Sequence, residues 1–120
     1  MIYASGQGPV GDGTPVFTGK AGADRTLKEA QQAAKLCALN ALAQAEKYLG
    51  DLNRITGVVK VTGFVASAPG FNDQPKAVNG ASSLCNDVFG EAGQHARSAI
   101  GVNELPGTIT VEVEAIFEIG

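Results

Sequence analysis

The residues of this 120-residue chain best suited to chemistry are one arginine and a run of glutamates near its C-terminal end. Arg97 lies in Ala96-Arg97-Ser98-Ala99-Ile100-Gly101-Val102, which reads as a strand. Ser98, Ile100 and Val102 are expected to face the helices, leaving Arg97, Ala99 and Gly101 on the open side with empty volume around the guanidinium. In the closing segment, Ile109, Val111, Val113, Ala115, Phe117 and Ile119 alternate with Thr110, Glu112, Glu114, Ile116 and Glu118. The first set belongs under helices and the second on the open face. The turn at Pro106-Gly107 predicts an antiparallel hairpin between the two strands, which would bring Arg97 within reach of a glutamate. An arginine in a partly desolvated niche with a carboxylate nearby is a good receptor for a ligand carboxylate. A plain cross-strand ion pair is the structural alternative.

Other candidates carry less. His95 is the only histidine, so histidine-based metal sites and triads have little to work with. It precedes Arg97 in a loop, where a surface histidine is a plainer reading than a proton shuttle. Cys37 and Cys85 fall on apolar faces of predicted helices and read as small buried hydrophobes in a reducing compartment. Their spacing fits neither a metal site nor a redox pair. Gly6-Gln7-Gly8-Pro9-Val10-Gly11 matches a dinucleotide fingerprint literally, but Pro9, Asp12-Gly13 and Pro15 separate it from the next helix. Ser5 has no nucleophile elbow around it. Gly80, within a predicted helix, costs ~1 kcal/mol of propensity. A close backbone approach to a ligand or a neighbouring chain would explain it, and so would sequence drift.

The elements that must position these residues can be read in order. A strand spans Met1 to Ser5, a loop rich in turn formers follows, and Val16-Phe17-Thr18 has the form of a short strand. Thr26-Leu27-Lys28-Glu29 is a capping box that opens a helix running to Leu49 and stopped by Gly50. Ile55 to Ala68 reads as a strand with Val59, Val61, Gly63 and Val65 on one face and Val58, Lys60, Thr62 and Phe64 on the other. A second helix runs from Gln74 to Phe89, with Val78, Ala81, Cys85 and Val88 apolar. The fold class is α+β, a mixed sheet with two helices on one face. The length predicts a single domain over residues 1–120. The open face mixes polar groups with Phe64 and Ile116, which suits a subunit interface containing a wet cavity.

Nine basic against twelve acidic residues give a net charge of −3, with no basic stripe to attract phosphates, so no nucleic-acid partner is expected. A 44% hydrophobic, 18% charged composition is that of a globular protein. No apolar run approaches a membrane span and no secretory signal opens the chain, so a cytoplasmic protein with no membrane partner is expected.

Several segments resemble the RidA/YjgF (reactive intermediate deaminase) family. Ser5-Gly6-Gln7-Gly8-Pro9-Val10 is similar to its S-G-Q-x-P segment, and Val59-Lys60-Val61-Thr62-Gly63-Phe64-Val65 to its V-K-x-T-x-F-V strand. Ala96-Arg97-Ser98, Leu105-Pro106 and Val111-Glu112-Val113-Glu114-Ala115-Ile116 resemble its A-R-S, L-P and V-E-x-E-A-I segments. Order and spacing fit over nearly the whole chain. The resemblance implies a chorismate-mutase-like fold and homotrimers whose sheets form a central barrel with clefts between subunits. It implies hydrolysis of small 2-imino or enamino acids to 2-keto acids and ammonia, with no metal or organic cofactor. By position, Arg97 matches the arginine that grips the substrate carboxylate and Glu112 the glutamate associated with the attacking water. Ser5 and Gly6 match a pair lining the cleft, and Asn79 an asparagine of the second helix that binds substrate.

Departures bear on the substrate. Ala99 stands where many members carry cysteine, and Gln94-His95 where proline is frequent. Family members usually have a further N-terminal segment that supplies an aromatic residue to the cleft; this chain starts just before the first matching strand, so it is expected to be truncated or to lack that piece. Two rival readings are a non-catalytic module sensing small carboxylates and, against the acidic charge, an endoribonuclease.

Overall fold

The computed structural model describes residues 1–120. The Thr26 hydroxyl accepts from the Glu29 amide (3.1 Å), and the Glu29 carboxylate accepts from the Thr26 amide (2.9 Å). This reciprocal cap starts α1 (Leu27–Leu49), which Gly50 ends in the left-handed conformation at φ 83°. The bond from the Thr26 amide and the neighbouring Arg25 guanidinium hold the Glu29 carboxyl below its ordinary value. The second helix, α2 (Gln74–Phe89), begins with proline in its first turn and stops at Gly90.

The main strands are β1 (Ile2–Gln7), β4 (Ile55–Ala66), β5 (Ala96–Val102) and β6 (Val111–Ile119). The residues read as a loop contain a small ribbon, β2 (Val10–Gly11) with β3 (Thr14–Pro15), turned by Asp12 and Gly13 at positive φ. Phe17 lies in no strand, and Thr18 forms only an isolated bridge to Ile109. The sheet order is β1-β6-β4-β5, antiparallel except where β4 and β5 run parallel. α1 packs over β6 and β1, α2 over β4 and β5, and the helices pack on each other. Between helices and sheet lies a core that includes Val61, Val65, Val78, Val111, Val113 and Phe117. No helix is long and apolar enough to cross a membrane.

Three expectations are corrected. Pro106-Gly107 does not close a hairpin: it lies in a short 3-10 turn with Gly107 and Thr108 at positive φ, and β6 enters the sheet on the far side of β4. A tight turn signal fixes a reversal of direction, not which strand the chain pairs with next. The facing of β5 is also inverted. Arg97, Ala99 and Gly101 pair with the buried Val61, Gly63 and Val65, so they face the helices, and Ser98, Ile100 and Val102 face the open side. Finally, a register shift between Val58 and Lys60 buries Val58 and leaves Val59 exposed, the reverse of strict alternation.

Gly80 is explained within the chain. A Cβ there would overlap the backbone carbonyl of Gln31 on α1, so the glycine permits close helix contact. The Gln31 side chain crosses the same contact, donating from Nε2 to the Lys76 carbonyl (3.0 Å).

Candidate functional site

The site residues form two groups. In the first, β5 presents Arg97 to α2, where Asn79 and Ser82, one helical turn apart, point at it. Nη1 of Arg97 donates to Oδ1 of Asn79 (2.7 Å) and to Oγ of Ser82 (3.2 Å). Ser82 also meets Nε2 of His95 (2.9 Å), whose Nδ1 lies 2.6 Å from the Gly93 carbonyl. Ser82, Asn86, Gln94, His95 and Arg97 line an open cleft of about 340 Å³ with no apolar wall.

Arg97 is half-buried and has no carboxylate partner. The only ion pairs in the protein are Arg25–Glu29 and Lys76–Asp73. Two neutral oxygens hold one guanidinium nitrogen, and the Nε and Nη2 hydrogens have no acceptor in the chain. The expected contact with a glutamate does not form, because β4 lies between β5 and β6.

The second group lies on the opposite face. Glu112 pairs with Phe64 and alternates with the buried Val111 and Val113, so its side chain leaves the sheet away from the helices. Its carboxylate packs against Gly6 of β1, where any Cβ would collide with it. Neighbouring positions of the same face form a cleft of about 360 Å³ lined by Tyr3, Ser5, Lys60, Thr62, Glu114 and Ile116. Ile100, 45% exposed, and half-buried Phe64 and Ile116 put apolar islands on this face.

The structure thus brings Arg97 to Asn79, and Glu112 to Gly6 with Ser5 beside it, but it does not unite the two groups. Sequence reasoning missed Ser82, and it read His95 as a surface loop residue, whereas the ring is half-buried and bonded at both nitrogens. The usable signal was the polar stripe Asn79, Ser82, Asn86 at helical spacing on α2. The thiols take no part. Burial holds the Cys37 thiol far above its ordinary value, with the Glu112 charge adding to the effect, and burial pushes Cys85 up to about 11. No three metal-ligating side chains converge.

Residues 1–113 match a family model described as "YjgF/chorismate_mutase-like, putative endoribonuclease". Protein TCP17 of Trypanosoma cruzi is 46% identical over 120 residues, covering 99% of this chain and 75% of the relative. Among solved structures, Atu1372 of Agrobacterium tumefaciens, whose function is unknown, is similar at 49% identity and TM-score 0.96, covering 98% of this chain and 75% of that one. A protein of Shewanella oneidensis MR-1 is similar at 34% identity and TM-score 0.94, covering 98% and 78%.

Proposed function

The chain belongs to the YjgF/chorismate-mutase-like family, and on that premise we propose that it hydrolyses small 2-imino acids to 2-keto acids and ammonia. The reaction takes place in a cleft between copies of the chain, arranged as a homotrimer. The observation that carries this reading is the state of Arg97: a half-buried cation, held by neutral oxygens, with no carboxylate to neutralise it. Such a group favours an anionic guest. Because Arg97 and Glu112 leave opposite faces of one sheet, a site that uses both takes them from two copies. The mixed open face, with Phe64, Ile100 and Ile116, is the surface on which copies meet.

In the mechanism, Arg97 binds the substrate carboxylate and fixes the imine carbon, with Asn79 steadying the guanidinium. Ser5 and Gly6 line the wall contributed by the neighbouring copy. Glu112 of that copy takes a proton from water as the water oxygen bonds to the imine carbon. The same proton passes to nitrogen, giving a tetrahedral adduct with one hydroxyl and one amino group. Glu112 then carries the hydroxyl proton to that nitrogen, the C=O bond forms as the C–N bond breaks, and ammonia leaves with the keto acid behind.

The test is to add the protein to freshly generated 2-iminopropanoate and time the release of ammonia against the uncatalysed rate. Acceleration that is lost in Arg97→Ala is expected. Wild-type protein that binds pyruvate without accelerating hydrolysis would mark a small-carboxylate sensor instead. The description of the matching family model favours RNA cleavage as a second reading. The net charge of −3 weighs against it, and incubation with single-stranded RNA under the same conditions decides it.

A further inference from the structure

We propose that Ser82 and His95 are positioning residues that fix which edge of Arg97 a ligand carboxylate can use. The inference rests on reading Arg97 as the carboxylate receptor, and it follows from the directions of four hydrogen bonds. The Gly93 carbonyl can only accept, so the proton on His95 sits on Nδ1, 2.6 Å away. In the neutral ring Nε2 is then a bare acceptor, and the Ser82 hydroxyl donates to it across 2.9 Å. Having given its hydrogen to the ring, Ser82 offers Nη1 of Arg97 only lone pairs. Asn79 Oδ1 takes the other Nη1 hydrogen. The chain of bonds runs one way, from Arg97 through Ser82 and His95 to the Gly93 backbone.

A guanidinium has five N–H donors and two edges for bidentate contact, one formed by Nη1 with Nη2 and one by Nε with Nη2. With both Nη1 hydrogens spent, only the Nε–Nη2 edge remains. The relay therefore selects a side-on contact and holds the guanidinium plane before the ligand arrives, which lowers the ordering cost of binding. Gly93 is itself firmly placed: a Cβ there would overlap the backbone carbonyl of Cys85 on α2. The far end of the relay is thus anchored to the same helix that carries Ser82.

Nitrogen-15 NMR of the full chain tests this, with pyruvate as the probe anion. The wild type should show His95 protonated at Nδ1, and Arg97 Nη1 hydrogens resolved from those of Nη2. In Ser82→Ala, Nη1 keeps only its Asn79 bond, so rotation about the Cζ–Nη1 bond should speed up and the Nη1 signals broaden toward those of Nη2. Pyruvate affinity should fall about tenfold, the value of one charge-assisted hydrogen bond. Ser82→Thr keeps the hydroxyl and should restore affinity to within about threefold, a rescue that a purely structural role would not give. His95 protonated at Nε2, or Arg97 signals and pyruvate affinity unchanged in Ser82→Ala, overturns the proposal. A wild type with the expected signals but no pyruvate affinity supports the relay and refutes the proposed function, so the two failures are distinguishable.

Discussion

Arg97 and Glu112 leave opposite faces of one sheet, and the two faces treat their charges differently. On the helix side, Arg97 is gripped by Asn79 and Ser82 of α2, while His95 braces Ser82 in turn. On the open side, Glu112 has no ion-pair partner and rests against a glycine that leaves it room. One half is a cation prepared in advance; the other is a carboxylate on the face of the sheet that carries no helix. Each lacks what the other supplies. The difference teaches what the proposed function requires: on that reading the protomer carries two complementary half-sites, with binding geometry set in the hydrogen-bonded half and assembly left to complete the chemistry.

Substitutions can strike one half and spare the other. The largest effect is expected from the charged groups themselves. Arg97→Ala and Glu112→Gln should each lower the hydrolysis rate about 10²–10⁴-fold, with circular dichroism and melting unchanged. Pyruvate binding separates them: the arginine variant should lose it and the glutamine variant keep it. Next comes Gly80→Ala, which pushes α2 off the Gln31 carbonyl. Urea unfolding should show a loss of about 2–3 kcal/mol, and the Arg97 half should be disordered while the Glu112 half is not. Gly6→Ala displaces only a flexible carboxylate. It should slow hydrolysis about tenfold, roughly 1.4 kcal/mol of barrier, with the melting temperature nearly unmoved. Smallest is Thr26→Ala, far from both halves, which should cost about 1 kcal/mol of stability and leave kcat/KM as it was.

Local signals in the sequence were good guides. The Thr26–Glu29 cap, the Gly50 and Gly90 stops and the bounds of α2 and β5 are all set by residues adjacent in the chain. The alternation of β6 holds from Val111 to Ile119 because that strand is central and one of its faces must be dry, but Thr110, expected on the open face, precedes the strand and is fully buried. Strand order was not legible, since nothing in Pro106-Gly107 distinguishes a hairpin from an insertion beyond β4. That error put Arg97 beside a glutamate. Its wrong facing is a separate error, made because the apolar Ile100 and Val102 were given to the helix side, whereas they lie on the open face. The bulge in β4 was hidden for a related reason: one extra residue inverts the faces on either side of it without leaving a compositional mark. Asn79 was named from the family resemblance, whereas Ser82 and Gly93 matter through contacts between elements distant in sequence.

The claim at the centre of the account is that Arg97 of one copy works with Glu112 of another. Unfolding Arg97→Ala and Glu112→Gln together in equal amounts and refolding the mixture tests it without any structure of the assembly. Each variant alone should keep only residual activity, but random trimers should regain about one quarter of the wild-type hydrolysis rate, because one pairing in four joins an intact Arg97 to an intact Glu112 across an interface. A mixture that shows hybrid trimers by native mass spectrometry yet stays as inactive as its components would contradict the account.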